Sequence, residues 1–328
     1  MISAALRRAI RQATGAGDPL LRPGPKPGRY TTALPFRLRP DDPARAAARL
    51  AATLTSEPWI AAAEVTGPGF VTVTVTQATL AGLAVRIAQA GPACATSDAL
   101  ASRTDPETTE LPPAARRPQP PPAVGDWPQA RAALAEPVTV RLATAAGAHF
   151  HNERSSVPAP PAHGAVADAV KFAGLDAVRF ALARMPPGGA PPDPAVIARH
   201  VLTNPAYAVR YAHAAAAAVL RWAATLGSQP AEPGDFQPRL LARPEELALL
   251  DALSWLPERV AMAARHSRPD EFAAYLAGLA GQAIDTMSTT SFTTMRSISS
   301  ERLWLAAAAR TGLAAGLGLL EVGAPGRL

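Results

Sequence analysis

The stretch Asn204-Pro205-Ala206-Tyr207-Ala208-Val209-Arg210-Tyr211-Ala212-His213 opens a helix in the terms local chemistry prefers. Asn204 can cap free backbone N–H groups, and Pro205 suits the first helical position, where a missing N–H is no loss. The run stays helix-compatible through Thr225, and Gly227 can stop it. Tyr207 and Tyr211 are four apart and so share a face, with Arg210 beside them and Arg221 further down. Flat π-surfaces next to cations suit unstacked RNA bases. The same spacing also suits an Ala-rich bundle in which both rings fill the core with their hydroxyls at its edge. Pattern alone leaves both readings open.

Working outward, everything from residue 163 reads as helical. The expected helices are 165–173, 176–185, 194–202, 205–226, 244–266, 269–286 and 300–320, several with Pro at or near the start. Asp176 is expected to cap its helix, and Arg179, one turn on, to tie helices together. Residues 287–300 are rich in Ser and Thr.

Toward the N-terminus the order is helix 2–14, strand 30–38 interrupted by Pro35, helix 43–54, strands 63–66 and 70–76, then helix 77–90. In the last strand Val71, Val73 and Val75 alternate with Thr72, Thr74 and Thr76, the period of a half-buried strand. This order makes a small α+β unit over 1–90. Residues 91–137, with Pro112-Pro113 and the run 118–122, hold too little apolar surface to fold and read as a disordered linker. Residues 138–142 read as a strand, and the region 138–328 as an all-α domain whose bundle begins near 163.

Two motifs in order, Asp176-Ala177-Val178-Arg179 and then Asn204-Pro205 with Tyr211-Ala212-His213, resemble the DALR anticodon-binding domain of arginyl-tRNA synthetases. The ending Val322-Gly323-Ala324-Pro325-Gly326-Arg327-Leu328 is similar to that family's too. The resemblance covers about half the chain. More faintly, Gly28-Arg29-Tyr30-Thr31-Thr32 and Gly67-Pro68-Gly69-Phe70-Val71 resemble the family's N-terminal additional domain, which binds the tRNA D-loop corner. Arg29 and Ala33 stand where that family usually has Asp and Asn, so Arg29 and Arg37 are left to touch phosphates. Ala215 replaces the arginine that usually follows Tyr-Ala-His-Ala. The resemblance implies a tRNA-binding site at Tyr207, Arg210, Tyr211 and Arg221, with Asp176, Arg179, Asn204 and His213 as structural motif residues.

The 328 residues carry a net charge of +6, almost all the cations being Arg, which favours a polyanion partner. Cys94 is the only cysteine, so no internal disulfide or cysteine metal site can form. The N-terminus lacks the apolar run of a signal peptide, and the most apolar segments are broken by Arg221 and Arg310, so no membrane span is expected and the location reads as cytoplasmic. No catalytic residues, cofactor or metal are expected. Asn152 to Ser156 stand where a class I synthetase carries its KMSKS-like loop, without a lysine, and no stretch is long enough for a nucleotide-binding Rossmann domain. His149 and His151 read as solvated loop residues. The leading expectation is a non-catalytic synthetase relative that binds tRNA of arginine isoacceptors. The alternatives are a protein–protein adaptor or regulator, and an accessory part of a ligase whose catalytic domain lies on another chain.

Overall fold

The computed structural model describes residues 1–15, 19–101, 126–149, 161, 163–289 and 298–328. The N-terminal part begins with α1 (Ile2–Thr14), which buries Ile2, Leu6 and Ile10 and stops at Gly15 in the left-handed region (φ 66°). Strands β1 (Leu21–Pro23), β2 (Arg29–Thr32), β3 (Ile60–Thr66) and β4 (Phe70–Val75) form one antiparallel sheet in the order β1-β2-β4-β3. Tyr30 lies opposite Val73, and Val71, Val73 and Val75 face the core as their alternation requires. Helix α3 (Pro43–Thr55) packs on β3 and β4, and α4 (Gln77–Ala81) and α5 (Leu83–Ala90) bring Leu80, Leu83 and Ile87 into the same core.

Two local expectations fail here. The strand expected over 30–38 ends at Thr32, and Leu34–Leu38 is a short helix, α2, with Pro35 in its first turn. A proline that would disrupt a ladder is at home at a helix start. The single helix expected over 77–90 is two, parted at Gly82.

The larger correction concerns 91–137 and the strand at 138–142. Gly91–Ala95 is a 3₁₀ turn that buries Cys94, and Trp127–Ala145 is one helix, α6. Val138, Thr139 and Val140 favour strands locally, but Trp127, Leu134, Val138 and Leu142 fall on one helical face and are all buried. Tertiary burial overrides the β-branched preference. The amides of Ser97 and Leu100 donate to the carbonyls of Ala145 and Ala146 at 2.9 and 2.8 Å, so the segment ending near residue 101 is pinned to the end of α6. The rest of the expected linker, 102–125, lies outside the described residues, as do His151, Asn152 to Ser156 and most of the Ser/Thr-rich stretch.

The remaining helices are α7 (Ala165–Ala173), α8 (Leu175–Arg184), α9 (Pro194–Ile197), α10 (Pro205–Thr225), α11 (Pro244–Ser254), α12 (Leu256–His266), α13 (Pro269–Met287) and α14 (Ser300–Leu319). Pro257 splits the expected 244–266 helix into α11 and α12. Helix α9 is shorter than expected because the Asn204 amide takes the carbonyls of Ile197 and Arg199, at 2.9 and 2.7 Å.

Sheet and bundle share one continuous apolar core, with α14 packed against α5 and the Gly91–Ala95 turn. A polar seam runs through the junction. The fully buried Tyr30 hydroxyl donates to Ser254 Oγ at 2.7 Å, and Ser254 Oγ donates on to the Asp251 carbonyl at 2.7 Å. The Gly28 amide donates to Asp251 Oδ1 at 2.8 Å, and Arg7 pairs with Glu258 in the interior. The small N-terminal unit is therefore seated on the bundle. Tyr30→Phe removes one buried hydrogen bond at this seam and is expected to cost about 1 kcal/mol. Thermal denaturation checks it: the melting temperature should fall in one transition shared by sheet and helices. An unchanged melting temperature, or two separated transitions, would contradict the shared core.

Candidate functional site

Helix α10 is strongly two-sided. Ala208, Val209, Ala212, His213, Ala216, Ala217 and Ala223 are buried, and α13 and α14 pack on that side. Asn204 caps the helix as expected, its Oδ1 accepting from the Ala206 amide at 3.1 Å. The opposite face runs Tyr207, Tyr211, Ala215, Ala218, Trp222, at the i, i+4, i+8, i+11, i+15 spacing of a single stripe. Tyr211 is 37% exposed and Tyr207 half-buried, so the tyrosines are surface residues rather than core fillers.

The two rings stack, with centroids 5.8 Å apart and planes inclined by 27°. The exposed His200 extends the row, its ring 5.2 Å from that of Tyr207 and nearly parallel at 12°. Its position in the loop before Asn204 carries no periodic signal, so only the fold brings it to the ladder. The stripe opens onto a groove of about 650 Å³ between α10, the end of α13 and the C-terminal tail, lined among others by Tyr207, Tyr211, Arg221, Trp222, Met287 and Arg327. Sequence reasoning also passed over Trp222. The i+11 step from Tyr211 was the signal that could have found it.

Side chains around the groove clasp the tail. Asp176 does not cap α8. Its Oδ1 accepts from the Gly323 amide at 3.1 Å and its Oδ2 lies 3.7 Å from Arg210. Arg179 donates to the Glu321 carbonyl at 3.0 Å, Arg221 donates to the Gly326 carbonyl, and His213 Nδ1 lies 2.8 Å from the Pro325 carbonyl. Arg210 and Arg221 are thus tied to protein partners rather than extended freely into solvent, and Arg221 lines the groove. A carbonyl only accepts, so Nδ1 carries the His213 proton. An added Cβ at Gly323 would stand 2.7 Å from Asp176 Oδ2, so a substitution there would push the Asp176 carboxylate off the tail amide it accepts from.

Arg29, half-buried on β2, and the exposed Arg37 on α2 belong to the sheet unit and are not among the residues that line the groove. Among the described residues, no three His, Cys, Asp or Glu side chains cluster as metal ligands would, and no helix is long and apolar enough to cross a membrane.

Residues 209–328 match the DALR anticodon binding domain. The C-terminal half is similar to arginine–tRNA ligases: 36% identical over 167 residues to that of Clavibacter sepedonicus, covering 49% of this chain and 30% of that protein. The enzyme from Kineococcus radiotolerans is 35% identical over 167 residues, with the same shares covered. Among solved structures, the Thermus thermophilus arginyl-tRNA synthetase aligns over 60% of this chain and 32% of its own, with TM-score 0.39 and 24% identity. The chain spans about 30% of the length of the ligases it matches.

The His213 clasp has a pH signature. Burial, the largest cause, and the nearby Arg310 charge push its pKa below the ordinary value, against the Pro325 bond. A depressed folded pKa favours the neutral ring. Its stabilisation is complete above the unfolded value of about 6.5 and is lost as pH falls through the folded value. Lowering pH from about 7.5 to about 5.5 is therefore expected to reduce the melting temperature, and His213→Gln to flatten that dependence. Equal slopes for the two proteins would show that His213 carries none of it.

Proposed function

We propose that this chain binds tRNA through the unpaired anticodon loop, with the Tyr207–Tyr211 ladder as its stacking platform, and does not itself charge tRNA. The observation that carries the reading is a solvent-facing pair of stacked rings lining a groove within a bundle whose C-terminal 120 residues match an anticodon-binding domain. Unpaired bases stack on such rings, whereas duplex RNA keeps its bases closed to them. Arg221 lines the groove and holds the tail at Gly326, while Arg210, paired with Asp176, adds positive charge on the same helix, and phosphates would pass along this side.

The charge distribution supports a second, weaker contact. Residues 1–90 hold eleven Arg and Lys against five acids, which accounts for the whole net charge, while the remaining residues are neutral in sum. In this reading the sheet unit, Arg29 and Arg37 included, supplies long-range attraction and phosphate contacts, and the neutral bundle supplies the base contacts. Asp176, Arg179, Asn204 and His213 act structurally, shaping the groove by capping α10 and clasping the tail. The resemblance to arginine–tRNA ligases points to arginine isoacceptors as partners and to the cytoplasm as the location. The matched stretch is about 30% of the length of those ligases, and in this reading ligation would require a catalytic domain elsewhere.

Two outcomes test this. In a filter-binding titration Tyr211→Ala, at an exposed position, should keep its melting temperature and lose about 1–3 kcal/mol of tRNA affinity. Arg37→Ala should weaken all RNAs alike and lower the salt slope by about one. Unchanged affinity for a stable Tyr211→Ala protein removes the ladder from the site. Incubation with ATP, arginine and tRNA should give no pyrophosphate exchange, and turnover above a heat-killed control overturns the non-catalytic reading.

A further inference from the structure

We infer that Trp222 forms a second base-stacking station at the far end of the α10 groove, so that the protein grips a run of unpaired nucleotides rather than one or two splayed bases. This rests on the RNA reading above and extends it to a residue and a ligand length.

Trp222 is 57% exposed in a chain with only five tryptophans, and it sits on the same stripe and lines the same groove as Tyr207 and Tyr211. Large aromatics of mixed polarity are the side chains that concentrate binding energy when they stand on a surface. Between the two stations the stripe carries only Ala215 and Ala218, which also line the groove. A longer side chain at either position would fill the slot, whereas methyl groups leave it open. The floor between the two aromatic ends is therefore lined by small apolar side chains.

The geometry sets the length of the ligand. Eleven residues of helix separate Tyr211 from Trp222, about 16 Å at the usual rise. At about 3.4 Å per nucleotide along a strand, that distance takes roughly five stacked nucleotides. The cations point to the same class of occupant. Arg221 and Arg327 line the groove near the Trp222 end, where a strand leaving the slot would present its phosphates. A peptide segment would be expected to find a mostly aliphatic trough, and here the ends are rings and the rim is cationic.

The test uses the full chain and oligouridylates of about four and about ten nucleotides, with Trp222→Ala and Trp222→Phe variants. Trp222 is exposed, so the variants should keep their fold, and melting curves check it. The wild type should bind the longer oligomer about tenfold or more tighter than the shorter one. Trp222→Ala should remove most of that length advantage and leave the short oligomer unaffected, while Trp222→Phe restores part of it. If Trp222→Ala binds the long oligomer as well as wild type while Tyr211→Ala does not, the second station is wrong and the RNA reading stands. If the wild type binds neither oligomer nor tRNA, the RNA reading fails and takes this inference with it. A Trp222-dependent shift to smaller size in gel filtration would assign the residue to a protein contact and overturn the station.

Discussion

The close approach of α10, α13 and α14 is the constraint on which the groove depends. Alanine makes it possible: Ala208, Ala212, Ala216 and Ala217 on α10 are buried, as are Ala306, Ala308 and Ala309 on α14. Where α14 meets α13 even a methyl group is excluded, since a Cβ on Gly316 would run into the buried Leu276 side chain. With its inner face filled by small side chains, α10 has nowhere to bury Tyr207, Tyr211 or Trp222. Those rings are left on the outside by the packing, and a rigid helix holds them at fixed spacing.

The tail gives the groove its second wall. Main-chain groups of residues 321–326 are taken up by Arg179, Asp176, His213 and Arg221, which lie on α8 and α10. Three of these four, Asp176, Arg179 and His213, belong to the motifs that first suggested a family, and their work here is structural. Each satisfies a polar group that an irregular segment would otherwise leave without a partner. Motif residues and candidate ligand-facing residues are thus separate sets: the first fixes the tail, and the second stands on the open stripe beside it.

How much was legible from residues alone follows the range of the forces involved. Helix α10 was readable from end to end because its start, Asn204-Pro205, is a local chemical signal and its face pattern is regular. The sheet strand at 70–75 was readable for the same reason. The short helix at Leu34–Leu38 was missed because Pro35 interrupts a strand and starts a helix equally well. Helix α6 was missed because Val138, Thr139 and Val140 favour a strand, and only burial against the rest of the bundle decides otherwise. Asp176 looked like a cap, and its actual partner, Gly323, lies at the other end of the bundle sequence. His200 could not be found by spacing at all, since a loop carries it to Tyr207.

The central claim is that the open stripe of α10 is where RNA lies. Photo-crosslinking of the intact protein to tRNA carrying 4-thiouridine, with the adducts mapped by mass spectrometry, tests it without disturbing the fold. The account predicts adducts on peptides containing Tyr207, Tyr211 and Trp222, competed away by unlabelled tRNA. Adducts confined to other surfaces, with the α10 peptides unmodified while tRNA is bound, would contradict it.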